Sequence, residues 1–171
     1  MIDFVANKNL IKYTKDFDFS NIYFTKDFEI VEGRDDNTNR KALESGKTVM
    51  LYGIEKFRVK DKMHYKDSGL NQVLCKLAKK NNIKIGFSFS DVLNSEDKER
   101  AVILGRMVQN VYLCNKYKVD MVIGSFAKDV NDMRNDKDLI AFARLLGMRK
   151  ICNEKIDTFF KENDIGIIMI K

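Results

Sequence analysis

The 171-residue sequence has no proline and no tryptophan, and it has a single histidine, His64. Turns must therefore be formed by glycine, asparagine and aspartate, which tolerate tight backbone geometry. Phosphoesterases that use protein-bound metals commonly hold the ions with several histidines and carboxylates, and one histidine cannot supply such a set. We interpret His64 as a surface or interface residue, and we expect this chain to have no catalytic residue and no metal site of its own.

The three cysteines, Cys75, Cys114 and Cys152, lie far apart and form no CxxC pair. Because zinc sites use clustered ligands, free thiols in a reducing compartment are the simpler interpretation. The sequence also has no glycine-rich phosphate loop and no GxSxG nucleophile motif. No apolar run approaches the length of about 18 residues that a membrane span requires, and the N-terminus does not resemble a signal peptide. We therefore expect a cytoplasmic protein that does not contact membranes.

Basic residues outnumber acidic residues by 31 to 25, and the formal net charge is +6. This balance suits a polyanionic partner such as RNA, because each lysine or arginine that meets a phosphate releases a counterion. Many basic proteins bind no nucleic acid, so the placement of the cations is more informative than their number.

Short apolar runs alternate along the chain with segments of helical periodicity. The predicted strands cover residues 2–5, 22–24, 28–31, 48–52, 83–89, 119–124 and 165–170. The predicted helices cover residues 70–80, 95–117, 137–146 and 149–161. Such alternation indicates βαβ units around a parallel sheet, either as an open layer or as a closed barrel. With no repeat or linker to divide it, the sequence predicts a single β/α domain over residues 1–171.

The sequence also predicts the caps of two helices and the buried faces of three. We expect Asn94 or Ser95 to cap the helix at 95–117, and Asn135 or Asp136 to cap the helix at 137–146. Gly147 is expected to end the latter helix in a left-handed conformation. The positions predicted to face inward are Leu70, Val73, Leu74 and Leu77, then Ala101, Leu104, Val108 and Val111, and then Leu139, Phe142, Ala143 and Leu146.

Four cations recur at every second residue in one segment. They are Lys56, Arg58, Lys60 and Lys62. If this segment is extended, the four side chains share one face along roughly 20 Å, because side chains alternate between the two sides of a strand. Such a row is suited to following an RNA backbone. The alternative is a solvated edge strand, where lysines prevent pairing with other strands.

Two further places could hold a phosphate. Asp67 or Ser68 could cap the helix that follows, and Gly69 would allow a close backbone approach; a helix N-terminus attracts anions, although an ordinary cap is the alternative. Arg134 ends a loop that follows a strand, where β/α folds commonly place function, and its guanidinium could bind a phosphate. Pairing of Arg134 with Asp138 across the first helical turn is compatible with that role.

Several short motifs resemble protein component 3 of ribonuclease P, in the family's order. The clearest is KDSGL at residues 66–70, followed by VL at 73–74 and LA at 77–78. Similar segments upstream are IVEG at 30–33 and NRKA at 39–42. Those downstream are FSFS at 87–90, Leu93, Arg100, Asn110, KY at 116–117, Val119, VI at 122–123, Ser125, Ala127, Arg134, DL at 138–139 and AF at 141–142. The resemblance covers about residues 28–162.

This resemblance implies a TIM-barrel-like β/α fold, related to the PHP-type metal-dependent hydrolases. Family barrels have one or two further β/α units before the strand near residue 30, so we expect a reduced or partly open barrel. In the family, an RNA component holds the catalytic Mg²⁺, and the protein pairs with a small RRM-like subunit. The implied activity is removal of the 5′ leader from precursor tRNA by the whole particle, with no cofactor bound by this chain.

The resemblance also assigns roles to individual residues. Expected RNA contacts at matching positions are Lys66, Arg100, Lys116 and Arg134, whereas Lys56, Arg58, Lys60 and Lys62 rest on their spacing. Residues expected to shape loops are Asp67, Ser68, Gly69 and Asp138. Two other hypotheses stay open: a PHP-type phosphoesterase that acts without RNA, and a purely structural subunit that contacts only its protein partner.

Overall fold

Parallel strands alternate with helices in the computed structural model, which describes residues 1–57, 61, 63 and 66–152. The strands are β1 (Ile2–Val5), β2 (Asn21–Phe24), β3 (Ile30–Glu32), β4 (Met50–Tyr52), β5 (Lys84–Ser88) and β6 (Met121–Gly124). The α-helices are α1 (Asp36–Glu44), α2 (Gln72–Lys80), α3 (Phe89–Leu93), α4 (Asp97–Tyr117) and α5 (Asp136–Leu145). Short 3-10 turns cover Lys8–Tyr13, Thr25–Asp27 and Val130–Asp132.

The strands form two parallel sheets that meet between β1 and β6. One sheet has the order β3-β4-β5-β6, and the other consists of β1 and β2. Two backbone hydrogen bonds join the sheets. The amide of Phe126 donates to the carbonyl of Phe4 over 2.7 Å, and the amide of Ala6 donates to the carbonyl of Ala127 over 2.9 Å. Among the described residues, β2 and β3 do not pair. The fold is therefore a barrel-like β/α arrangement that is partly open, as expected.

Aromatic rings fill the inner side of this arrangement. The ring of Phe126 stacks on that of Tyr52 with centroids 4.1 Å apart, and on that of Phe4 at 6.1 Å. Gly86 makes room for the stack, because a Cβ there would lie 2.8 Å from Tyr52 Cβ and 3.2 Å from Phe126 Cζ. Phe126 itself has φ +47, so its ring turns back onto the strand ends. Each ring buried in this way contributes about 2 kcal/mol.

The other side of the sheet packs against the helices. Leu51, Ile85, Phe87 and Ile123 are fully buried there, since alternate residues of a strand point to opposite faces. The helix residues that cover them include Leu74, Cys75, Ala78, Met107, Val111, Cys114, Leu139 and Ala143. The cysteines are free thiols, as predicted, with Cys75 and Cys114 buried and Cys152 partly buried.

The prediction for α5 is confirmed in detail. Asn135 is its N-cap, and its side chain accepts a hydrogen bond from the amide of Asp138. Gly147 has φ +88 just after the last turn. Leu139, Ala143 and Leu146 are buried, as the periodicity predicts.

The cap and the buried face predicted for α2 are partly wrong. Its N-cap is Asn71, whose side chain accepts from the amide of Leu74, so neither Asp67 nor Ser68 caps this helix. Val73 is 54% exposed, whereas Leu74 is buried. The helix starts two residues later than predicted because the 66–70 loop packs against α4 instead of beginning α2.

The helix predicted at 95–117 is α4, which begins two residues later, and the separate short helix α3 precedes it. Phe89 begins the short helix α3 instead of ending β5, Asn94 is the C-cap of α3, and the N-cap of α4 is Glu96. The predicted inward stripe is partly wrong, because Val111 is buried but Ala101 and Val108 are exposed. The buried positions of α4 include two polar residues, Arg106 and Asn110, together with Ile103, Met107, Val111 and Cys114. An apolar periodicity cannot find a face that a helix buries through polar side chains.

At the C-terminal end, residues 149–152 are not helical, contrary to the predicted start of a helix at 149. The remainder of that predicted helix and the predicted strand at 165–170 lie outside the described residues. Within the described part of the chain, no helix has the length and apolar character needed to cross a membrane.

Candidate nucleic-acid interface

The short helix α3 lies at the carboxyl ends of β4, β5 and β6, and cations approach it from several sides. A shallow cleft of about 200 Å³ opens beside it. The cleft is lined by Lys56, Ser90, Asp91, Asn94, Ser95, Glu99 and Lys128. We call α3 with Lys56, Arg100, Lys128 and Arg134 the α3 platform.

Lys56 reaches the platform from the loop after β4. Its Nζ lies 3.0 Å from Asp91 Oδ1 in the middle of α3, and its side chain is 34% exposed. Burial lowers the pKa of Lys56, but the carboxylates of Asp91, Glu32 and Glu99 together more than offset this, so its pKa is raised overall. Lys56 is therefore a fixed cation, and a phosphate that binds it must compete with Asp91.

Arg100 extends back from the first turn of α4 to the end of α3. Its Nε donates to the carbonyls of Val92 and Ser95 over 3.1 and 2.9 Å, and its Nη2 donates to that of Leu93 over 3.2 Å. These carbonyls lie at the C-terminal end of α3 or just after it, so the guanidinium caps that end of the helix. Arg100 thus holds α3 in place while its side chain remains on the surface.

Arg134 occupies the opposite side of α3. Its Nη1 donates to the carbonyls of Asn131 and Met133 over 2.9 and 2.6 Å, and its guanidinium lies 5.5 Å from the ring centre of Phe89. The suggested pair with Asp138 does not form; the amide of Asp138 instead bonds to the N-cap side chain. Contact with an aromatic face fixes a guanidinium while leaving further N–H groups to donate.

A carboxylate ties the loop after β6 to the end of α3. Asp132 is buried, and its Oδ1 accepts from Asn94 Nδ2 over 3.0 Å. Its Oδ2 accepts from the amides of Lys128 and Asp129 over 3.2 and 3.3 Å. These bonds fix the backbone that presents Lys128 at the cleft.

A buried polar cluster supports the loop between β4 and α2. Asn110 of α4 donates from Nδ2 to Glu55 Oε1 over 2.7 Å and to the carbonyl of Ser68 over 2.8 Å. Arg106, one turn earlier, donates to the carbonyl of Glu55 and to Asp61 Oδ1, both over 2.9 Å. Asp61 Oδ1 also accepts from the amide of Asp67 over 3.0 Å. Two polar residues of α4 therefore position a loop that passes over the helix.

Burial raises the pKa of Glu55 to about 7, and the hydrogen bond from Asn110 only partly opposes this shift. Glu55 Oε2 and Asn110 Oδ1 are both buried and have no hydrogen-bond partner among the described residues. A buried oxygen without a donor costs less in a neutral carboxyl than in a carboxylate. The site therefore favours the protonated acid.

The KDSG loop, residues 66–69, follows the side of α4. Gly69 has φ +82, a conformation that residues with a Cβ rarely adopt. Ser68 is 1% exposed, and Asp67 is partly buried. The amine of Lys66 lies over Gly105, where a Cβ would be 2.5 Å from Nζ, and the carbonyl of Lys66 accepts from Gln109 over 3.2 Å. This loop is thus fixed by α4 and not by a helix cap.

The predicted RNA contacts do not form one surface. Lys56, Arg100 and Arg134 come together at α3, whereas Lys66 lies beside the middle of α4. Lys116 is exposed in the last turn of α4, about 24 Å from Arg100 along the helix axis. Arg58, Lys60 and Lys62 lie outside the described residues, as does His64.

A second buried polar contact joins β1 to β6 and was missed in the sequence. Asp3 is fully buried, and it accepts from the amide of Ser125 over 2.7 Å and from the Ser125 hydroxyl over 2.5 Å. Burial raises the pKa of Asp3 to about 6 against the lowering effect of these bonds. A lone aspartate within the apolar run at 2–5 was the available signal. Glu55 and Arg106 offered none, because polar residues next to loops or within helices are usually exposed.

No group of three or more histidine, cysteine, aspartate or glutamate side chains comes together as a potential metal site in the described ranges. The fold and the platform thus define a partly open β/α barrel whose strand ends carry fixed cations. Residues 19–157 match the family described as RNase P subunit p30. The chain belongs to this ribonuclease P subunit family.

Individual relatives agree with the family match. The chain is 33% identical over 116 residues to ribonuclease P protein component 3 of Methanococcus vannielii, covering 68% of this chain and 47% of the relative. It is also 33% identical over 124 residues to the component 3 of Methanosarcina mazei, covering 72% and 48%. The chain therefore spans about half the length of the curated relatives it matches.

A solved structure is similar over much of the fold. It is a chain from a cryo-EM structure of archaeal ribonuclease P with mature tRNA, with a TM-score of 0.60 and 28% sequence identity. The similarity covers 86% of this chain and 59% of that chain.

Proposed function

We propose that this chain is a protein subunit of a ribonuclease P particle and supports RNA-catalysed removal of the 5′ leader from precursor tRNA. The main support is the α3 platform, which gathers Lys56, Arg100 and Arg134 in a member of the p30 family. Its partners would be the RNA component, an RRM-like protein subunit and, through the particle, precursor tRNA. The particle would work in the cytoplasm.

The platform is suited to binding an RNA backbone without performing chemistry. Lys56, Arg100 and Arg134 are each held by a carbonyl, a carboxylate or a ring, so little freedom of these side chains is lost when a phosphate arrives. A guanidinium has five N–H donors, and Arg134 uses only Nη1 on the described backbone, which leaves Nε and Nη2 for a phosphate. Fixed cations position an RNA backbone but do not read its sequence.

In this proposal, the catalytic Mg²⁺ is held by the RNA component, and this chain binds no cofactor. The chain would lower the Mg²⁺ concentration at which the RNA folds and reacts, because its cations neutralise part of the same phosphate charge. Lys66 and Lys116 lie away from the platform, so RNA contact at these residues would require a second surface.

The test is leader cleavage of precursor tRNA by a reconstituted particle containing Arg134→Gln. We expect cleavage to fall at least 10-fold at low Mg²⁺ and to recover at high Mg²⁺, since added Mg²⁺ can replace a protein cation. Arg144→Gln is the matched control, because Arg144 is an exposed arginine near the opposite end of α5. Equal losses at both Mg²⁺ concentrations would contradict the electrostatic role.

A further inference from the structure

The outer face of α4 is apolar, although it faces solvent. Val108 is 48% exposed and Tyr112 is 63% exposed, and Val102 beside them is 39% exposed. Ala101, Gly105, Val108 and Tyr112 follow the spacing of a single helical stripe, about three turns long. A contiguous exposed apolar stripe on a helix is typical of a binding surface.

This stripe is not needed by the chain's own fold. The inner side of α4 is already occupied by Arg106 and Asn110, whose hydrogen bonds fix the rotation of the helix about its axis. The apolar residues Met107 and Val111 on that side are buried in the core. The outer stripe is therefore a separate apolar surface, and it stays exposed because these contacts fix the orientation of α4.

The charges beside the stripe from Ala101 onward are all positive, whereas Asp97 lies one turn before it. From Arg100 to Lys118 the sequence contains no aspartate or glutamate. The amine of Lys66 lies over Gly105 at the centre of the stripe, and the side chain of Gln109 donates to the carbonyl of Lys66 over 3.2 Å. Lys98 and Lys116 are exposed near the two ends of the same face. The complementary surface is thus apolar with carboxylates.

We propose that the outer face of α4 binds an amphipathic helix of a protein partner, whose apolar side packs on Val108 and Tyr112 and whose carboxylate pairs with Lys66. RNA would engage the lysines but leave the valines exposed. A second copy of this chain would place Lys66 near its own counterpart, which like charges disfavour. The inference rests on the proposed function in one respect: it takes the partner to be the RRM-like subunit of the particle.

The direct test is photo-crosslinking in the reconstituted ribonuclease P particle. The probe p-benzoylphenylalanine replaces Val108 in one preparation. In the matched control it replaces Leu145, an apolar residue of α5 that is 84% exposed. We expect position 108, but not position 145, to crosslink to a helical peptide of the RRM-like subunit that contains aspartate or glutamate. The inference would be overturned by adducts to RNA, to a second copy of this chain or to its residues 153–171. It would also be overturned if an assembled particle gave no adduct.

Charge variants provide a second measurement, by calorimetric titration with the RRM-like subunit. Lys66→Glu should weaken binding at least 10-fold, whereas Lys66→Arg should change it less than 3-fold, because only the former reverses the charge. Tyr112→Ser removes apolar contact without touching charge and should also weaken binding at least 10-fold. Unchanged affinity in Lys66→Glu and Tyr112→Ser would contradict the proposal.

The two proposals fail in different ways. Wild-type chain that neither enters the particle nor increases leader cleavage would overturn the subunit role itself. Wild-type chain that enters the particle and supports cleavage, with position 108 crosslinked to RNA, would overturn only the assignment of the α4 surface.

Discussion

The inner and outer faces of α4 both differ from those of an ordinary amphipathic helix, because the inner face also buries polar residues and the outer face exposes apolar ones. On the inner side, Arg106 and Asn110 are buried and hold a loop through hydrogen bonds. On the outer side, Val108 and Tyr112 are exposed to solvent. The comparison shows that polar residues of α4 are buried where neighbouring backbone carbonyls need hydrogen-bond donors. The inner face stabilises the fold of the chain, and the outer face is available to bind a partner.

The largest effect is expected from truncating the inner face with Asn110→Ala. Both acceptors of its Nδ2 group, Glu55 Oε1 and the carbonyl of Ser68, would lose a buried donor. We expect a loss of about 4 kcal/mol in the free energy of unfolding, measured by chemical denaturation, because each unsatisfied buried group costs about 1–3 kcal/mol.

The matched control is Asn115→Ala on the same helix. Asn115 makes a single, more exposed hydrogen bond to the carbonyl of Gly147. Its removal should cost about 1 kcal/mol or less. Similar losses for the two variants would remove the distinction between the inner cluster and the rest of α4.

The pH dependence of stability should change most with Glu55→Gln. The pKa of Glu55 rises from 4.5 to about 7 on folding, so its stabilising effect is complete below pH 4.5 and is lost as pH rises through 7. Glutamine is neutral at any pH, so the cost of burying it does not change with pH. Relative to wild type, the variant should therefore gain about 3 kcal/mol of stability between pH 4 and pH 8. Parallel pH profiles of the two proteins would show that Glu55 is already ionised in the folded state.

A smaller loss is expected for Gly69→Ala in the loop that the inner face supports. The φ of +82 at this position places a Cβ against the backbone, at a cost of about 1–2 kcal/mol. Thermal unfolding of Gly46→Ala is a useful comparison, because Gly46 also has positive φ but has no atom within 4 Å of a built Cβ. A clearly larger loss at Gly46 would mean that the 66–69 loop is not held as described.

The smallest effect on stability is expected from the outer face. Tyr112→Ser alters a side chain that is 63% exposed, so the free energy of unfolding should change by about 0.5 kcal/mol or less. A loss above about 2 kcal/mol in chemical denaturation would show that the outer face belongs to the core of the isolated protein.

Within the described residues, the sequence predicted the strands and α5 well. Strands buried on both sides produce continuous apolar runs, and α5 carries both a capping asparagine and a terminal glycine. The partly open barrel and the family were also found, because the motifs around the KDSG loop keep their order.

The sequence did not predict the faces of α4 or the arrangement of the cations. Periodicity counts apolar side chains, so it assigned Val108 to the core and missed Asn110. Arg100 and Arg134 were expected to be available for phosphate, and each also donates to backbone carbonyls of the residues that shortly precede it in the chain. These hydrogen bonds depend on how the backbone after α3 and after β6 turns, which the periodicity of apolar residues does not report.

The most direct test of the subunit role is 5′-leader cleavage of precursor tRNA at low Mg²⁺ by ribonuclease P reconstituted with and without this chain. We predict cleavage when the RNA component, the RRM-like subunit and this chain are all present, and a rate at least 10-fold lower when this chain is omitted. Equal rates with and without the chain would contradict the account.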